Sequence, residues 1–129
     1  MGNFMIVGLG GFIGAFSRYG VSQLLLRFWP ALAVGSFPIG TFFVNGVGSF
    51  IIGVAAAVFT KTGAMGSPMQ IFIMIGILGG FTTFSSFSLE SVNLILQSKM
   101  GLASAYILGS VLVCLLGVYL GKVVGGLLA

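Results

Sequence analysis

The chain has no histidine and one acidic residue, Glu90. Without imidazole, and without a second carboxylate beside the first, the usual general acid–base machinery cannot be assembled. Cys114 is the single cysteine, so no disulfide closes within the chain and no thiol pair can ligate a metal. Charge of either sign is scarce. Charged residues make up 5% of the chain, against about 25% in a soluble domain. The five basic residues (Arg18, Arg27, Lys61, Lys99, Lys122) stand singly. The net charge of +4 therefore offers no run that could neutralise successive phosphates, which excludes nucleic acid as a partner.

What remains is apolar. Hydrophobic residues account for 58% of 129 residues, and the mean hydropathy is +1.24. A chain this short has no interior able to hide that surface from water, so its solvent is a lipid bilayer. A spanning helix takes about 20 residues, and the length admits one domain of four spans with short loops. Punctuation places the spans at about 4–28, 37–60, 68–97 and 101–128. The first ends near Trp29-Pro30, where a tryptophan suits the interfacial belt. Ser36 with Pro38, and Ser67 with Pro68, are cap-and-first-turn pairs that open the second and third spans. The first residues, Met1-Gly2-Asn3-Phe4-Met5, lack the basic n-region of a secretory signal, so the apolar stretch after them reads as a span.

The third segment carries the richest signal. Read as one straight helix, 68–97 would be about 45 Å long, against a hydrocarbon core of about 30 Å. In its middle stands Gly79-Gly80-Phe81-Thr82-Thr83-Phe84-Ser85-Ser86-Phe87-Ser88-Leu89-Glu90. Paired glycines followed by hydroxyls interleaved with aromatics predict a helix broken at Gly79-Gly80. At membrane depth such a break is tolerated only against protein or a water-filled cavity. The second half-helix would point its N-terminal N–H groups into the interior, an end that attracts anions.

Polar residues on neighbouring spans point the same way. Thr41, Asn45 and Ser49 share one face of the second span, and Tyr106, Ser110 and Cys114 one face of the fourth. Singly each could be an interhelical hydrogen bond; together they predict walls flanking the break. Glycines at spacing four (Gly10 and Gly14; Gly76 and Gly80; Gly117, Gly121 and Gly125) predict close helix packing. With four spans, Lys61 and Lys122 fall on one side and Arg27 and Lys99 on the other. The bias that normally fixes orientation nearly cancels. A chain inserting both ways up could form an antiparallel homodimer, turning four helices into eight. Glu90 sits about two turns past the break, where pairing or capping by hydroxyls is favoured over a role in transport. Arg18 either draws anions to a pore entrance or anchors its helix at the headgroups.

These motifs resemble the Fluc family of small bacterial fluoride channels over essentially the whole chain. The likeness rests on Gly14-Ala15-Phe16-Ser17-Arg18-Tyr19, on Pro38-Ile39-Gly40-Thr41 followed by Asn45, and most specifically on Gly79 to Ser88 with Glu90. Ser86 replaces the threonine expected in many relatives and keeps the hydroxyl. The resemblance implies an antiparallel dual-topology homodimer with two fluoride pores in the bacterial cytoplasmic membrane. It also implies a structural sodium ion at the dimer centre, held by the backbone carbonyls of Gly79 and Thr82. Phe84 and Phe87 would line the pore with Asn45.

The chemistry of the residues agrees with a pore of that kind. Aromatic rings are electropositive at the edge, where a small anion can rest. Phe84 and Phe87, three apart, can share a helical face. Fluoride is strongly hydrated, and Asn45, Thr41, Thr83, Ser85, Tyr106 and Ser110 are the donors that could replace its water. The expected function is thus a passive fluoride-selective channel and not an enzyme. A proton-coupled multidrug exporter of the four-helix, dual-topology kind would need a membrane carboxylate in the first span, which has none and whose only charge before the helix end is Arg18. A non-transporting subunit would have little reason for a broken helix between two polar faces.

Overall fold

The computed structural model describes residues 2–30 and 37–129. Its elements are α1 (Gly2–Phe28), α2 (Ile39–Lys61), α3 (Pro68–Gln70), a π-helical stretch (Ile71–Leu78), α4 (Gly79–Phe81), α5 (Phe84–Leu96) and α6 (Met100–Leu128). Four helical segments, Gly2–Phe28, Ile39–Lys61, Pro68–Leu96 and Met100–Leu128, are long and apolar enough to cross a membrane. The molecule is an all-helical, multi-pass membrane protein.

Local chemistry sets the ends of these helices. Ser67 Oγ accepts the Gln70 N–H at 3.2 Å, and Pro68 occupies the first turn. Pro38 precedes α2 and starts its ladder by accepting the Phe42 N–H at 3.1 Å; Ser36 lies outside the described residues. Gly63 (φ 67°) and Gly66 (φ 82°) take left-handed conformations in the connection from α2 to α3. The turn between α5 and α6 uses Ser98 at φ 59°, with the Lys99 N–H donated to Leu94 O at 3.0 Å.

Two glycine seams hold the subunit together. A Cβ added at Gly10 would lie 2.8 Å from Gly76 Cα, and one at Gly80 would lie 2.6 Å from Gly11 O. So α1 packs backbone to backbone against the helix leading into the break. On the other side, Gly53 on α2 meets Val118 O and Gly121 Cα on α6, and Gly125 meets Val54 O. The three glycine rows thus serve contacts within one subunit. Between the seams lies a small core in which Val44 and Tyr106 are fully buried. Phe37, Phe42 and Phe87 pack around Tyr106, Leu94 and Ala103.

The break is real but lies three residues beyond Gly79-Gly80. Both glycines are helical, and Thr82 (φ −85°, ψ 156°) and Thr83 (φ −152°, ψ 117°) are the extended residues. The cause is physical. Gly80 is needed for contact with α1, whereas β-branched threonines favour extended backbone and carry hydroxyls that replace lost backbone bonds.

Candidate functional site

The break is built from the polar sequence itself. Thr82 Oγ1 donates to Leu78 O at 2.9 Å, closing the incoming helix. Thr83 Oγ1 accepts the Ser86 N–H at 3.2 Å and so caps α5. It also lies 3.2 Å from Ser85 Oγ and 3.1 Å from Ser86 Oγ. Asn45, from the middle of α2, clamps the extended backbone: Thr83 N donates to its Oδ1 at 2.7 Å, and its Nδ2 donates to Thr83 O at 2.9 Å. One amide thus satisfies a donor and an acceptor that no helix can serve, and one Nδ2 hydrogen stays unspent. The N–H groups of Thr83 and Ser86 lie four residues on from Gly79 and Thr82. Both are diverted to side chains, which takes away the usual helical donors of the Gly79 and Thr82 carbonyls.

Two turns further on, Glu90 is held from two helices. Thr41 Oγ1 donates to Oε1 at 2.8 Å and Tyr106 Oη donates to Oε2 at 2.7 Å. The hydroxyl protons of Thr41 and Tyr106 are therefore committed to a carboxylate. Capping by hydroxyls is one of the two arrangements expected for Glu90, beside pairing with a basic residue, and these two hydrogen bonds supply it.

Beside the first turn of α5 lies a cavity of about 110 Å³ lined by Asn45, Phe84, Phe87, Ser110, Val111 and Cys114. The rings of Phe84 and Phe87 are 5.4 Å apart and tilted by 45°. Phe87 packs in turn on Tyr106, also at 5.4 Å. Ser110 is 6% exposed, and its Oγ has no hydrogen-bond partner. A buried hydroxyl without a partner is costly and calls for an explanation. A second cavity of about 310 Å³ shares Asn45, Phe84 and Cys114 with the first and reaches Ser49, Thr82 and Thr83.

The predicted residues thus form three groups rather than one. Asn45, Phe84, Phe87 and Ser110 surround one cavity; Thr41 and Tyr106 meet on Glu90; Thr83 and Ser85 shape the break, with Ser85 on the exposed side. Arg18 is half-buried beside a cavity of about 290 Å³, shared with Ser22, Thr41, Thr83 and Ser86. Sequence reasoning did not find Val111 as a lining residue or the role of Asn45 as a backbone clamp. No spacing rule announces the clamp, because its partner is a main chain 38 positions away.

Comparison with known proteins gives the family. The family model described as CrcB-like protein, Camphor Resistance (CrcB), matches residues 5–122. A protein of Magnetococcus marinus named fluoride-specific ion channel FluC is 44% identical over 122 residues, covering 95% of this chain and 96% of that one. A FluC of Ruminiclostridium cellulolyticum is 42% identical over 127 residues, 98% and 95% of the two chains. One of Opitutus terrae is 41% identical over 125 residues, 95% and 92%. With the family model matched over residues 5–122 and relatives 41–44% identical over at least 95% of its length, this chain belongs to the CrcB (FluC) family of membrane proteins.

Proposed function

We propose that the protein is a passive, fluoride-selective channel that exports fluoride across the bacterial cytoplasmic membrane. It works as an antiparallel dual-topology homodimer with two pores. The observation that carries the reading is the unpartnered Ser110 hydroxyl in a cavity walled by Phe84 and Phe87. Relatives of the same length and family are named fluoride-specific ion channels, which supports the choice of ion.

An unsolvated ion in a medium of low dielectric costs tens of kcal/mol, so a pore must replace water with donors. Here Ser110 Oγ–H and the spare Nδ2 hydrogen of Asn45 are available at the cavity. The ring edges of Phe84 and Phe87 add electropositive C–H groups, whereas a cation would seek their faces. Thr83 and Ser85 supply hydroxyls at the break. Thr41 and Tyr106 act beside Glu90, holding its charge on two hydrogen bonds and away from the anion. Arg18, with its polar cavity, suits a pore entrance better than a headgroup anchor. Family membership, with relatives named as ion channels, supports a channel and not an enzyme.

The sodium ion implied by the resemblance fits the break chemically. A hard cation takes oxygen ligands, and the Gly79 and Thr82 carbonyls have lost their helical donors to Asn45 and Thr83. One subunit offers too few such oxygens for a full shell, so two copies would share the ion. The charge it supplies would join the two breaks and stiffen the dimer.

The test is efflux from liposomes containing only this protein, read with a fluoride electrode and repeated with chloride. Rapid fluoride release without chloride release or a pH gradient is expected. Absence of fluoride release with pH-driven uptake of an organic cation would assign the protein to the exporter class, with Glu90 as its proton carrier.

A further inference from the structure

Cys114 is half-buried, and it borders both cavities around the break, beside Asn45 and Phe84 in each. The smaller cavity also holds the buried, unpartnered Ser110 Oγ one helical turn away. That hydroxyl has no partner, and a small polar group entering the cavity would supply one. A thiol on its wall is reachable by whatever enters.

We infer that Cys114 is a thiol modification site that closes the ion path: a small, neutral, thiol-directed electrophile entering the cavity couples to Sγ and blocks flux. The inference rests on the reading of this cavity as pore. Methyl methanethiosulfonate is the probe. The thiolate, which is the reactive form, attacks the methylthio sulfur and an S–S bond forms. The bond from that sulfur to the sulfonyl group breaks, methanesulfinate leaves, and the thiol proton goes to water. The product is a mixed disulfide whose methylthio group stands among Ser110, Asn45 and Phe84, in the space an anion would cross. Excess dithiothreitol reverses it by thiol–disulfide exchange.

Because the chain has one cysteine, labelling reports on a single site. Three readouts are taken on protein in liposomes: fluoride efflux before reagent, intact mass after reagent, and efflux after reagent. The expected result is one methylthio adduct per chain, formed more slowly at saturating fluoride. Efflux should fall at least tenfold and return with dithiothreitol, while Cys114→Ser keeps its own untreated rate under reagent. An adduct with unchanged efflux overturns the inference, as does equal inhibition of Cys114→Ser. Should the untreated protein release no fluoride, the channel reading fails first, and labelling alone decides the site. An adduct slowed by filling the cavity with Ser110→Val then upholds it, and a thiol that reacts only after denaturation refutes it.

Discussion

Asn45 shows how much can rest on one side chain. Its amide answers both the N–H and the C=O of Thr83, two main-chain groups set loose by the break. Asn45→Leu keeps the approximate size and removes both partners. Each unpaired buried group costs about 1–3 kcal/mol, so a marked drop in the thermal unfolding midpoint in detergent is expected, together with loss of flux. Thr83→Val removes the α5 cap and leaves the clamp, and a smaller drop of about 1 kcal/mol is expected from loss of a cap. The aromatic pair separates stability from transport. Phe84 is 78% exposed in the subunit, so Phe84→Ile has little to destabilise within it, yet fluoride efflux should fall at least tenfold with Phe84→Ile and with Phe87→Ile. Unchanged flux in both would reject the role of ring edges. Residue types, spacing and the family resemblance placed Asn45, Phe84, Phe87 and Ser110 in one group, together with Thr41, Thr83, Ser85 and Tyr106. They did not reveal that Thr41 and Tyr106 spend their protons on Glu90, because nothing in a sequence states which acceptor lies across a helix interface.

The broken segment explains why the sequence points to the right element and the wrong residues. Glycine weakens a helix, so Gly79-Gly80 invites placement of the break there. In the folded chain, however, Gly80 answers to a neighbour, while a Cβ at Gly79 would meet nothing nearer than Met74 O at 3.8 Å. A Cβ at Gly80 would meet α1 backbone, so its smallness is used for contact, and the helix continues through it. The backbone opens where hydroxyls can take over, at Thr82 and Thr83. The same logic gives a contrast within α1. A Cβ at Gly14 would meet Ile77 O and come within 2.8 Å of Phe81 N, whereas one at Gly8 has nothing within 4 Å in the subunit. Gly14→Ala forces rigid backbone apart on both sides of the seam, and misfolding or a strongly lowered unfolding midpoint is expected. Gly8→Ala should be neutral or slightly stabilising, since alanine is the better helix former by about 1 kcal/mol. Equal effects of the two variants, read by size-exclusion profile and thermal unfolding, would mean that the seam does not govern folding.

A single subunit leaves large apolar side chains such as Phe12, Phe16, Phe84 and Leu127 outside, and lipid or a second copy must cover them. The charge pattern favours an inverted second copy. With Arg18 left aside, Lys61 and Lys122 stand against Arg27 and Lys99, so the charge bias that normally fixes orientation nearly cancels. This balance is legible in the sequence, while the surfaces that would meet are not, because most of the outward positions are apolar whichever partner they face. Orientation is therefore the property to perturb. Thr62→Lys with Met65→Lys adds two cations beside Lys61, and Gln97→Lys with Met100→Lys adds two beside Lys99, all four at exposed positions. Each pair should lock the chain in one orientation, the first with the Lys61 loop in the cytoplasm and the second inverted. If the pore-bearing assembly needs both orientations, either variant expressed alone should lose fluoride efflux at least tenfold, read in cells or in liposomes made from their membranes. Coexpression of the two should restore it, since each supplies the orientation the other lacks. Full activity from either variant alone would show that a parallel assembly or a lone subunit conducts, and the antiparallel dimer would have to be abandoned.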